Sequence, residues 1–162
     1  MLKPLNHTHL KEATALLKNV VAAMEANGLN QWDEHYPTQQ HILTDIENRH
    51  AYGYFIENTL TGYVALNELY DVEYKAIEWH THPPFLIVHR LSIHPNTQGQ
   101  GIGKKCMLAI ETFAKHNNYK AIRLDTYIPN IKANKLYNGL GYNKTGIVQF
   151  RKGLFYCYEK EL

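Results

Sequence analysis

"LSIHPNTQGQGIGKK", residues 91–105, carries glycine at 99, 101 and 103 and two lysines directly behind the last of them. A main chain stripped of side chains at alternate positions lets another molecule approach the backbone, and the lysines favour an anionic one. Upstream, "FLIVHRLSIH" is the most continuous apolar run and predicts a strand buried on both faces. Downstream, Ile102, Cys106, Met107, Ile110 and Phe113 recur at helical spacing, and "KAIRLDTY" reads as a further strand. Strand, helix and strand with short joints predict a right-handed parallel crossover. The glycines then stand at a helix mouth, where converging amides and the helix dipole attract negative charge.

Spacing separates the anions that such a loop could take. The nucleotide-triphosphate loop, G-x-x-x-x-G-K-[ST], would need glycine where Gln98 stands and a hydroxyl where Lys105 stands. The dinucleotide fingerprint G-x-G-x-x-G would end on Lys104 if begun at Gly99, or on Cys106 if begun at Gly101. Both fail. What remains is Gln98-x-x-Gly101-x-Gly103 after a strand ending in "LSIHP".

That pattern resembles the acetyl-coenzyme A loop of the GCN5-related N-acetyltransferases, [RQ]-x-x-G-x-[GA], with every fixed position met. The stretch "DTYIPNIKANKLYNGLGY", residues 125–142, is similar to the downstream signature of the same family, an Asn, a Tyr in "LY" and a Gly-aromatic pair. The resemblance covers about Phe85 to Tyr142; earlier, only the order of elements agrees. It implies an α/β fold with a mixed, largely antiparallel sheet flanked by helices. It also implies direct acetyl transfer from acetyl-CoA to a primary amine of a small molecule or protein, in a ternary complex.

The site expected from these residues has three parts. The amides of Gln98, Gly99, Gln100, Gly101, Ile102, Gly103 and Lys104 form a nest for the pyrophosphate of coenzyme A. The resemblance implies that the "LSI" strand splays at a bulge, that the main chain of Leu91 and Ile93, flanking Ser92, holds the pantetheine arm, and that Asn130 touches the cofactor. An alkylammonium with a pKa near about 10 must lose a proton before it attacks, so a base is needed. His89 and Glu68 are the two candidates, and each also reads as an ordinary structural residue. Tyr137 matches the family's general acid for the departing thiolate. Trp32 and Tyr36 resemble the aromatic residues that line the acceptor pocket.

The remainder of the chain predicts a helix over 8–27 stopped by Gly28, and a second from Thr38 to about Arg49. "AYGYFIE" and "GYVALNELY" predict a hairpin turning through "NTLT". Residues 71–84 read as irregular, 130–138 as a short helix, and "GIVQF", "RKG" and "LFYCYEK" as a closing hairpin. Glu78, His80 and His82 alternate in "EWHTHPP", but no third or fourth ligand follows at metal spacing, so a flexible loop and no metal are expected.

With 162 residues, 44% of them apolar and 20% charged, the expectation is one domain over 1–162. A net charge of +2, with scattered lysines and arginines, argues against nucleic acid, and no apolar run is long enough for a membrane span. Met1 leads directly into patterned sequence, so Cys106 and Cys157 are expected as reduced, buried thiols in a cytoplasmic protein. A homodimer is a family-level expectation. The rival from another class is a sensor that binds coenzyme A without transferring its acyl group.

Overall fold

The computed structural model describes residues 1–162. Seven strands lie in one sheet in the order β1-β2-β3-β4-β5-β7-β6. They are β1 (Leu2–Pro4), β2 (Ala51–Ile56), β3 (Thr59–Asn67), β4 (Phe85–Ile93), β5 (Ala121–Tyr127), β6 (Asn143–Phe150) and β7 (Gly153–Glu161). The helices are α1 (Leu10–Ala26), α2 (Gln39–Glu47), α3 (Ile102–His116) and α4 (Ile131–Gly139). Contacts gather into two compact units, Met1–Leu66 with Arg90–Ala109, and Asn67–His89 with Ile110–Leu162.

In the first unit, Ala13, Leu16, Leu17 and Val20 line the buried stripe of α1, as the 3.6-residue period requires. The helix stops where expected: Gly28 takes φ +67°, and Leu29 N–H reaches back to Met24 O at 2.9 Å. The α1 stripe packs with Ile42 and Ile46 of α2 and with Leu5, Ala51, Leu60 and Tyr63. Thr38 begins α2, its N–H and hydroxyl both meeting His41 Nδ1, at 3.0 and 2.8 Å. The hairpin turns at Glu57 and Asn58, both at positive φ (47° and 66°), so Thr59 already belongs to β3 and the turn lies earlier than "NTLT". Strand β1 pairs antiparallel with β2; three residues ending in proline are too few for the alternation that reveals strands in sequence.

In the second unit, β5 pairs parallel with the start of β4, through Phe85↔Ala121, Leu86↔Ile122 and Ile87↔Arg123. Both β5 and β6 run antiparallel to β7, the latter pair as the predicted closing hairpin. Tyr74, Ile87, Val148, Phe155 and Cys157 form the core of one face. Strand β4 is less buried than its composition suggests. Leu86, Ile87 and Val88 are buried in succession, but Phe85, His89, Arg90 and Leu91 are only partly covered.

The segment 71–84 is irregular, as predicted, apart from a short 3-10 turn at Val72–Ala76, whereas β3 ends at Asn67, so Glu68, Leu69 and Tyr70, expected in the strand, lie outside it. The irregular segment is nevertheless tied down. Glu159 Oε1 accepts the amides of His80 (2.8 Å) and Thr81 (3.1 Å), and Arg123 donates to Thr81 O at 2.5 Å. The free loop expected for "EWHTHPP" is therefore an anchored one. Cys106 and Cys157 are unpaired and fully buried, and burial pushes each thiol up to about 12. No helix is long and apolar enough to cross a membrane.

Candidate functional site

Within strand β4, Arg90 takes a φ of 56°, in the left-handed region that non-glycine residues seldom adopt. The cost is of order 1 kcal/mol, and the side chain is held by a dense set of contacts in the first unit. Arg90 Nη2 lies 2.5 Å from Asp45 Oδ1 and 2.7 Å from Oδ2, and its Nε donates to Oδ2 at 3.1 Å. Tyr63 donates to the same carboxylate at 2.5 Å, and Arg90 Nη1 donates to Tyr36 Oη at 3.0 Å. Both charged side chains are nearly buried, at 14% and 6% exposed. Burial and the adjacent Asp45 push the Tyr63 phenol well up, keeping it a neutral donor. The left-handed residue is thus held by a buried ion pair, and the sequence offered only the oddity of an arginine inside an apolar run.

Beyond Arg90 the chain presents Leu91, Ser92 and Ile93. Ser92 is buried and its hydroxyl donates to Arg90 O at 2.9 Å, so its side chain supports the left-handed turn of the backbone there. Gly62 lies opposite: a Cβ there would stand 3.0 Å from Ile93 Cδ1 and 3.2 Å from Ser92 O, so a side chain would fit only if these neighbours gave way by a few tenths of an ångström. A 3-10 turn over Pro95–Thr97, capped by His94 Nδ1 accepting Asn96 N–H at 3.2 Å, redirects the chain into the loop. Gln98 Nε2 reaches back to Ile93 O at 3.0 Å, and Gln100 Nε2 to Asn96 O at 3.1 Å. Both glutamines therefore brace the loop with their amide side chains.

Gly99 and Gly101 take φ of +78° and +75°, with open space where a Cβ would stand. Their first requirement is conformational: alternate left-handed residues turn successive amides toward one side, the geometry of an anion nest. Helix α3 follows, and Lys105 N–H makes its first-turn bond to Gly101 O at 3.1 Å. The earlier amides, of Ile102, Gly103 and Lys104, belong to the turn that has no intrahelical acceptors. No acidic residue occupies that turn, and Lys104 and Lys105 are exposed. Shape, donors and charge fit a pyrophosphate. Trp32 and Tyr36 meet edge to face at 6.5 Å in the same unit, with Tyr36 joined to Arg90 as above.

The second unit holds the candidate proton carriers. Tyr137 is buried on α4 with its ring 5.7 Å from that of Tyr158 and 6.0 Å from that of Tyr142. Asn130 caps α4, its Oδ1 accepting Ala133 N–H at 3.1 Å. Asn134, which sequence reasoning passed over, organises this end of the helix. Its Nδ2 donates to Tyr127 O, Ile128 O and Asn130 O at 3.2, 3.1 and 2.9 Å, while Oδ1 accepts from Tyr158 at 2.7 Å. A buried asparagine on an otherwise apolar stripe was the available signal.

His89 Nε2 lies 3.0 Å from both Asn67 Oδ1 and Leu69 O. Two acceptors at one nitrogen require the proton there, so any base chemistry at His89 would run through Nδ1. Those partners flank Glu68, which is exposed and accepts from Tyr119 at 2.9 Å. The structure therefore brings His89 next to the Glu68 segment.

The chain matches the acetyltransferase (GNAT) family over residues 19–142, and it belongs to that family. The whole chain superposes on a GNAT-family acetyltransferase from Streptococcus agalactiae 2603, covering 95% of it with TM-score 0.88 and 24% identity. It also superposes on PaiA N-acetyltransferase from Thermoplasma acidophilum in complex with coenzyme A, 100% of this chain on 98% of that one, at TM-score 0.73 and 17% identity. At these identities the likeness is one of fold. In sequence, 62 residues are 37% identical to N-acetylaspartate synthetase of Xenopus tropicalis, 38% of this chain but 23% of that protein. The chain thus aligns with under a quarter of that relative's length.

Proposed function

We propose that residues 1–162 act as one acetyl-CoA-dependent N-acetyltransferase domain that passes an acetyl group directly to a primary amine. The observation that carries this is the left-handed pair Gly99 and Gly101 leading into the base-rich, acid-free first turn of α3. When bound, acetyl-CoA supplies an activated thioester carbonyl. The amides from Gln98 to Lys104 would bind its pyrophosphate, and the main chain of Leu91 and Ile93 would orient the arm, with an amide near Ile93 polarising the carbonyl. Asn130, whose Oδ1 caps α4, would touch the cofactor from the mouth of that helix.

Tyr137 would donate a proton at Oη to the leaving sulfur, whose free pKa is about 8.5. His89 through Nδ1, or Glu68 through water, would accept the proton of the incoming ammonium. Trp32 and Tyr36 would border the acceptor. Direct transfer suits the cysteines: a thiol pushed up to about 12 and fully buried, as at Cys106, is a poor acyl carrier.

The test pairs calorimetric titration of acetyl-CoA with thiol release across a panel of amines. Binding together with thiol release on at least one amine supports the reading. Binding with no turnover on any amine indicates the sensor, and an absence of binding heat overturns both.

A further inference from the structure

Pairing between β4 and β5 runs from Phe85↔Ala121 to Ile87↔Arg123. Two residues further along each strand, on the same face, come His89 and Asp125. Asp125 thus stands two positions past the paired stretch. Its Oδ2 accepts a hydrogen bond from Tyr74 at 2.6 Å, and the residue keeps part of its surface accessible. An aspartate on a strand otherwise buried from Ala121 to Leu124 is costly to retain for structure alone.

The surroundings are aromatic. Tyr70 stacks on Tyr74 with centroids 6.2 Å apart and planes 15° apart, and also meets Phe85 at 6.0 Å. Tyr127, on the same face of β5, packs on Phe155 at 5.2 Å. Beside them, Leu69, Tyr70 and Val72 are 66%, 47% and 68% exposed, an apolar run left to solvent. A carboxylate bonded to Tyr74, whose ring stacks on a tyrosine within the largely exposed apolar stretch Leu69-Tyr70-Asp71-Val72, is chemistry for a cation carried on an apolar body.

We propose that Asp125, in place of His89 or Glu68, is the group that receives the acceptor's ammonium and takes its proton, and that the acceptor is a small amine on an aromatic body. This rests on the acetyltransferase reading and changes only its proton acceptor. In the step, one N–H bond of R–NH3+ breaks, its electron pair stays on nitrogen as the attacking lone pair, and an O–H bond forms on the Asp125 carboxylate. Water later removes that proton, so no further reactant is needed.

Burial raises the carboxyl to about 6, with Asp71 adding to the rise and the Tyr74 hydrogen bond opposing it. The other titratable or charged groups on this side are His89 on β4, Arg123 and Tyr127 on β5, and Cys157 on β7. Arg123 is committed to Glu159 at 2.8 Å, and the Cys157 thiol is neutral. An aspartate near 6 is ionised at neutral pH yet is a stronger base than an ordinary one.

The test uses the full chain with coenzyme A bound, phenethylamine as probe and phenethyl alcohol as its uncharged counterpart. The Asp125 carboxyl carbon is followed by NMR, its signal assigned by its loss in Asp125→Asn. Phenethylamine should lower the apparent Asp125 pKa by about one unit, which corresponds to a tenfold preference for the ionised form. Asp125→Asn should bind phenethylamine at least tenfold more weakly and the alcohol equally. Failure of phenethylamine to bind, equal binding to the variant, or an Asp125 titration indifferent to the amine would each overturn the proposal. Coenzyme A binding is measured separately in both proteins, and its absence in the parent would instead overturn the acetyltransferase reading.

Discussion

Two buried arginine–carboxylate pairs, one in each unit, do the same kind of work by different means. Arg90 and Asp45 hold a left-handed residue within a strand: side chain meets side chain, with Tyr63 and Tyr36 completing the set. Arg123 and Glu159 leave their strands regular and reach out to the backbone of the 68–84 segment at His80 and Thr81. Arg123 also lies against rings, 3.8 Å from the Phe85 centroid and 4.5 Å from that of Trp79. A buried ion pair adds little net stability over a well-packed apolar pair, because desolvation offsets the attraction. What each pair provides here is position: a left-handed strand residue in one unit, an anchored loop in the other.

Breaking the first pair should cost most. Asp45→Ala leaves Arg90 charged and buried and strips Tyr63 of its acceptor, so a loss of about 3–5 kcal/mol is expected, read as the shift in urea midpoint. Glu159→Ala should cost less, about 2–3 kcal/mol, because the rings still cover the guanidinium. Its distinguishing mark would be fast hydrogen exchange at the His80 and Thr81 amides. If those amides stay protected, the loop is held by something other than Glu159.

The contrast between the units extends to their candidate functional residues. Gly101→Val forces a β-branched residue to φ +75°, at about 1–2 kcal/mol, and should weaken acetyl-CoA binding at least tenfold by calorimetry. A variant that binds as the parent does would remove the loop from the cofactor site. In the second unit, Tyr137→Phe should leave binding within about twofold and slow turnover by at least tenfold. Equal rates at every pH would remove its acid role.

Asp125 gives a pH signature of its own. The unfolded chain ionises this group near about 3.9 and the folded chain near about 6. Its stabilising contribution is therefore complete below the lower value and disappears as the pH rises through the upper one. Asp125→Asn keeps an acceptor for Tyr74 and should be less sensitive to this rise. Thermal melts at pH 4.5 and 7.5 should differ less in the variant than in the parent, by on the order of 1–2 kcal/mol.

Much of this was legible from residue order. Helix α1, its glycine stop, the crossover around the glycine loop and the closing hairpin all follow from local period and turn chemistry. The hairpin turn was misplaced because Glu57 and Asn58 take left-handed conformations without a glycine to announce them. Strand β1 was too short to show a period. Among the candidate site residues and those that support them, the loop and Tyr137 announce themselves by motif, while Asp45, Asn134 and Asp125 carry no motif at all.

The sequence by itself determined which residues alternate, where helices cap, and that residues 98–103 can expose their amides, since those properties depend on neighbours within a few positions. Only the tertiary structure decided that Arg90 would pair with Asp45, 45 residues earlier. It also decided that Tyr74 would meet Asp125 across 51 residues and that Glu159 would reach the segment around His80. Charge and hydrogen bonding act through space at a few ångströms, and in a folded chain those ångströms are set by packing rather than by distance along the sequence.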